Sequence, residues 1–141
     1  MKTQMTALIV STVLLLPFMA SATELKVEIS GVQSDSGKVT VTLYTDAGTF
    51  LKSGIGETTS AAASAGKVII TLAGLNPGTY AVAAHHDEDG DGEMAKNLFG
   101  VPKEGYGFSN NAPATFGPPD FRDAAFRLDA EGASIAVRMT Y

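Results

Sequence analysis

The residues with the clearest chemistry form one short run: His85-His86-Asp87-Glu88-Asp89-Gly90-Asp91-Gly92-Glu93. Asp87, Asp89 and Asp91 occupy positions 1, 3 and 5 of a loop whose sixth residue is Gly92. Hard oxygen ligands at alternate positions, followed by a glycine where the chain turns sharply, make the front half of a calcium loop. Two carboxylates about 5 Å apart repel by roughly 3 kcal/mol at an effective dielectric near 20. Gathering several of them therefore favours a cation among them, and oxygen ligands suit Ca²⁺ better than Zn²⁺. The back half departs from the EF-hand: position 9 is Ala95, position 12 is Leu98, and no helical pattern flanks the loop. The expected metal ligands are Asp87, Asp89, Asp91, Glu93 and Asn97, with backbone carbonyls or water completing the shell. A dissociation constant of about 10⁻⁴–10⁻³ M is expected for such an open extracellular-type site. A solvated acidic turn is the competing reading, since Asp and Gly favour turns without any metal.

Other candidate groups are sparser. His85 and His86 are neighbours at the end of a strand, so their side chains point to opposite faces and do not share one ion. One packed and one exposed histidine is the expectation. His86 with Asp87 or a metal is the only pairing that supports a hydrolase. No nucleophile elbow, phosphate loop or His-Glu-x-x-His pattern occurs. Ser109, in Gly107-Phe108-Ser109-Asn110-Asn111, has the chemistry of a turn. Phe99, Tyr106, Phe108, Phe116 and Phe121 cluster in sequence and either anchor a loop or form a binding face. His86, Tyr106, Phe108 and Asn110 are the ligand-binding candidates.

The elements that must carry these groups are strands. Leu25, Val27 and Ile29 alternate with polar residues, as do Val39, Val41 and Leu43. Val68, Ile70 and Leu72 follow the same period, then Tyr80, Val82 and Ala84, then Phe126 and Leu128, then Ile135, Val137 and Met139. Alternation places one face of each segment on a core. Turns are read at Ser34–Gly37, Ala73–Gly78 and Asp129–Gly132, the last as a hairpin connection. Thr59–Ala65 reads as a loop or edge strand, because it shows no amphipathic stripe. Six or seven short strands so spaced read as a β-sandwich. From His86 to Pro119 the alternation lapses, which predicts a long, ordered, functional loop.

Composition narrows the rest. Met1–Ala22 has a basic start, a short apolar run and Ala20-Ser21-Ala22 at its end, the pattern of a secretory signal peptide. Cleavage after Ala22 would leave Thr23–Tyr141, 119 residues without a second apolar segment. The chain has no cysteine, which excludes disulfides, lipid-modified cysteine and thiolate zinc sites. Its net charge of −5 becomes −6 once the first 22 residues, with one Lys and no acid, are removed. That balance argues against nucleic acid or an anionic membrane as partner.

Several stretches resemble an exported bacterial family, domain of unknown function 2141. They are Leu75–Val82, His86–Gly92, Leu98–Asn111, Gly117–Pro119 and Phe121–Phe126. Family members commonly carry Asn where Asp89 and Asp91 stand, and Asp where Ala95 stands. The Pro77-Gly78-Thr79-Tyr80 turn is also similar to that of transthyretin-like and carboxypeptidase-regulatory-like sandwiches. The resemblance implies an all-β fold: a seven-stranded immunoglobulin-like/prealbumin-like β-sandwich with one long ordered loop, over residues 23–141 as one domain. It implies a periplasmic or extracellular location and supplies no activity. The resulting expectation is a non-enzymatic binding or structural module of the cell envelope, with Ca²⁺ bracing its loop and an envelope protein or unknown ligand as partner. A periplasmic metal- or His/Asp-dependent hydrolase and a carbohydrate or envelope-component binder are the alternatives.

Overall fold

The structure is a computed structural model, and it describes residues 23–141. The signal-peptide reading of Met1–Ala22 lies outside the described residues. Eight strands form two sheets: β1 (Thr23–Val32), β2 (Lys38–Tyr44), β3 (Glu57–Ala62), β4 (Gly66–Leu75), β5 (Gly78–Asp87), β6 (Gly105–Phe108), β7 (Phe126–Leu128) and β8 (Ala133–Arg138). The first sheet has the order β4-β1-β8 and the second β3-β2-β5-β6, with β7 also on β5. All pairings are antiparallel except β1 with β8, which is parallel. Strand content dominates, and the sandwich expected from the alternation is the fold; the strands number eight rather than seven.

The period-two residues build the core between the sheets. Leu25, Val27, Ile29, Val39, Val41, Val82, Leu128 and Val137 are fully buried there. Each such side chain contributes roughly 1.5–3 kcal/mol by leaving water. The sheets meet along one side, where Tyr106 and Thr140 exchange backbone hydrogen bonds of 2.9 and 2.7 Å.

One local expectation holds and others change. Thr59–Ala65 contributes its first residues to the edge strand β3, where Thr40–Ser60 and Thr42–Thr58 hydroxyl pairs hold it to β2. The Asp129–Gly132 turn is tight, with the Gly132 amide on the Asp129 carbonyl at 3.0 Å, but it is not a hairpin. It carries the chain from β7, paired with β5, to β8, paired with β1. Alternation identifies a strand's buried face but not its partner. The stretch from His86 to Pro119 is likewise not one loop. It holds β6 and a 3₁₀ turn over Ser109–Asn111, and glycines at 105 and 107 erase the alternation that would have revealed β6.

A second apolar cluster covers the outer face of the β5 sheet. Ala81, Phe108, Ala112 and Ala124 are its buried members, with Phe50, Tyr106 and Phe121 packed against them. It explains why Tyr80, Ala81 and Val82 are all buried: β5 is covered on both faces. The short helix α1 (Phe121–Ala124) belongs to this cover.

Candidate functional site: the acidic loop and its struts

Lys38 on β2 pairs with Asp87 at the end of β5, so the acidic loop leaves from the centre of a sheet. Asp87 is fully buried. Its Oδ1 accepts the Gly90 amide at 2.8 Å and its Oδ2 the Gly92 amide at 3.0 Å, with Lys38 Nζ 3.3 Å from Oδ2. Burial pushes the Asp87 carboxyl up, but the Gly90 amide, Lys38 and the Gly92 amide more than offset this and hold it below its ordinary value. Farther out, Asp89 Oδ1 accepts the Asp91 amide and Asp91 Oδ1 the Glu93 amide, a chain of Asx turns. Gly37 closes the other side. Its φ is +70°, and a Cβ there would collide with the Asp87 carbonyl, so glycine lets the β1–β2 turn lie against the loop's root.

One carboxylate oxygen each from Asp87, Asp89 and Asp91 falls within 4.8 Å of the others. Oxygens bound to one Ca²⁺ at 2.3–2.6 Å are at most about 5 Å apart, so the three fit a single coordination shell. Glu93 lies outside that group. Asn97 is engaged elsewhere. Its Oδ1 accepts the Phe99 and Val101 amides at 2.9 and 3.0 Å, which closes a turn presenting Leu98 and Phe99 to solvent.

Glu104 is a part of this site that the sequence pattern does not announce. Only 5% exposed, it spans the whole loop. Its Oε1 accepts the Glu88 amide at 3.0 Å; its Oε2 meets His85 Nε2 at 2.9 Å and the Ala95 amide at 3.1 Å. Burial raises this carboxyl, and the Ala95 amide, His85 and the Glu88 amide together outweigh burial and bring it below its ordinary value. An isolated Glu just before a Gly-rich strand carries no periodic signal, so nothing in the sequence marked it.

His86 is fully buried on the core face of β5. Its Nε2 lies 2.8 Å from the Ser36 carbonyl, which can only accept, so that nitrogen carries a proton. Nδ1 and the Tyr141 hydroxyl lie 2.6 Å apart, and that oxygen accepts the Gln33 amide at 3.0 Å. Gly105 passes so close to the Tyr141 ring that a Cβ would overlap it. Among the described residues, His86 borders neither a surface cavity lined by Tyr44 and Tyr80 nor one lined by Tyr106 and Arg138. Both His86 nitrogens are engaged within the fold. His85 is half-buried rather than exposed and is occupied by Glu104.

The segment Phe108–Asn111 is also structural. β7 pairs with residues 78–80 of β5 and β6 with residues 83–86, leaving Ala81 and Val82 between them. Ser109 fills the gap: its buried Oγ accepts the Val82 amide at 2.8 Å and donates to the Ala124 carbonyl. Asn110, at φ 59°, donates its side-chain amide to the Asp123 and Ala125 carbonyls at 3.1 and 2.7 Å. Asn111 Oδ1 accepts the Arg138 amide at 2.8 Å. Phe108 is buried in the second cluster. Phe108 is thus buried, while Asn110 is exposed with its side-chain amide engaged by the Asp123 and Ala125 carbonyls. Of the ligand-binding candidates, Tyr106 alone borders a cavity without being buried. Among the aromatics, Phe121 also packs into the second cluster, whereas Phe99 and Phe116 stand in solvent.

No curated protein and no solved structure matches the chain. A family model described as an uncharacterised protein conserved in bacteria matches residues 27–136, from within β1 to within β8 and across the whole acidic loop. The chain therefore belongs to that bacterial family, domain of unknown function 2141.

Proposed function

We propose that the chain is an exported, non-enzymatic binding or structural module of the bacterial envelope whose acidic loop takes up Ca²⁺. The carrying observation is the convergence of Asp87, Asp89 and Asp91 on one coordination-sized space. Lys38 offsets one of the three charges, and Asp89 and Asp91 are exposed with no cationic partner among the described residues. Asp87, Asp89 and Asp91 would hold the ion, with backbone carbonyls and water completing the shell. The ion would supply charge neutralisation and nothing catalytic. Bracing of this loop matters because Asp87, Glu88, Ala95 and Glu104 tie it to β5 and β6. The signal-like pattern of Met1–Ala22 supports export, and no helix among the described residues is long and apolar enough to cross a membrane.

Calorimetric titration of the chain from Thr23 with Ca²⁺ tests the reading, alongside thermal melting of the same protein and of Asp89→Ala. A dissociation constant of about 10⁻⁴–10⁻³ M gives about 1.4–2.7 kcal/mol of added stability at about 10 mM Ca²⁺, from RT ln(1 + [L]/Kd). The Asp89→Ala protein should lose both heat and shift. Absence of both in the unmutated protein at that concentration would sink the metal.

A further inference from the structure

A surface groove of about 370 Å³ lies where β6, the segment after the 3₁₀ turn and the end of β8 meet. Its volume falls in the range of small-molecule sites. Tyr106, Pro113 and Ala114 give it apolar wall, and Thr115, Thr140 and Arg138 border it. The chain has three arginines. Arg122 pairs with Asp123 and Arg127 with Asp129, whereas Arg138 makes no ion pair among the described residues. In an acidic protein an uncompensated arginine bordering a groove is an electrostatic asymmetry that favours an anion.

The groove's frame is set before any ligand arrives. The Arg138 amide is tied to Asn111 Oδ1, and Thr140 and Tyr106 exchange two backbone hydrogen bonds. Tyr106 packs against Phe108, ring centroids 6.0 Å apart, which supports its ring from behind. A framework already in place lowers the entropy cost of binding. A second cavity among the described residues, bordered by Tyr44, Ile55 and Tyr80, has Glu57 as its one charged residue and offers nothing for an anion.

We propose that this groove binds a small carboxylate ligand, with Arg138 gripping the carboxylate and Tyr106 carrying a flat ring or apolar face beside it. A guanidinium presents paired N–H donors that match a carboxylate. No second cation borders the groove, so a monoanion fits it better than a doubly charged phosphate. The hydroxyls of Thr115 and Thr140 suit a ligand with further polar groups, as an acidic sugar or the carboxyl end of a short peptide would have. The inference rests on the binding-module reading and not on calcium.

The test is a set of NMR titrations of the chain from Thr23 with glucuronate, glucose, N-acetylalanine, N-acetylalaninamide and inorganic phosphate. One carboxylate held by one guanidinium should bind with a dissociation constant on the order of 1 mM. Glucuronate, N-acetylalanine or both should shift the Tyr106, Thr115, Arg138 and Thr140 signals, while glucose and the amide do not. The stronger of the two carboxylates identifies the source as sugar or peptide end. Arg138→Gln should weaken binding at least tenfold with the melting temperature unchanged, since that side chain holds no part of the fold; Lys103→Gln should leave binding intact. The proposal is overturned if the neutral analogues bind as well, if phosphate binds more tightly than both carboxylates, if Arg138→Gln retains full affinity, or if no carboxylate shifts these signals by about 50 mM. Repeating the titration with chelator separates this outcome from a failure of the calcium reading, because the groove does not include the acidic loop.

Discussion

Replacing Glu104 by Gln keeps the volume and removes the charge and one acceptor. The carboxylate now serves three donors, the Glu88 amide, the Ala95 amide and His85 Nε2, with its side chain 6% exposed. A Gln has one carbonyl oxygen. Turned toward Ala95 and His85, it sets its NH₂ against the Glu88 amide; turned toward Glu88, it sets its NH₂ against the Ala95 amide. In either orientation one backbone N–H loses its acceptor at about 1–3 kcal/mol, and the surviving bonds lose their charge assistance. The expected loss is about 2–4 kcal/mol, or roughly 8–15 °C in melting temperature for a domain of this size. Acid should shrink the difference. Glu104 sits below its ordinary value of 4.5 in the fold, so its stabilisation is complete above that pH and fades as pH falls through the lower folded value. Asp87, below its ordinary value of 3.8, adds acid lability of the same sign to both proteins. Urea unfolding at pH 7 and at pH 3 measures the difference, and hydrogen exchange at the Glu88 and Ala95 amides localises it. A loss under about 1 kcal/mol at pH 7, or unchanged exchange at those two amides, would refute the claim that Glu104 ties down the loop.

Three further substitutions, with Gly90→Ala as a control, probe the other struts. Ser109→Ala should cost about 2–4 kcal/mol by stranding the buried Val82 amide on β5, read as a drop in urea midpoint with unchanged slope. Tyr141→Phe should cost about 1–3 kcal/mol, because the buried His86 Nδ1 loses its hydroxyl partner; an unperturbed His86 ring signal in NMR would contradict this. Gly37→Ala should destabilise by at least about 2 kcal/mol in thermal melts, since positive φ and the Asp87 carbonyl both oppose a side chain, whereas Gly90→Ala, with open space around it, should cost only the φ penalty of about 1 kcal/mol.

Much of the fold is legible in the sequence because strand burial has a period of two. Leu25, Val27 and Ile29 announce the inner face of β1 without knowledge of any partner, and they are fully buried. Tyr80, Val82 and Ala84 mark β5 in the same way, yet Ala81 beside them is buried as well, since a second cluster covers the outer face. β6 is hidden by Gly105 and Gly107, whose lack of side chains removes the pattern but leaves the ladder to β5 intact.

The acidic loop shows the division most clearly. That Asp87, Asp89 and Asp91 alternate ahead of a glycine is plain from the order of residues alone, because ligand spacing along a turn is a local property. The folded chain alone reveals that Asp87 is buried against Lys38, that Glu104 reaches back sixteen residues to the Glu88 amide, and that His86 lies against Tyr141. It also brought Tyr106 and Arg138 to one groove from separate strands. These are contacts between segments far apart in the chain. They arise from how two sheets close on each other, and pairing register is set by the whole core rather than by the residues that meet.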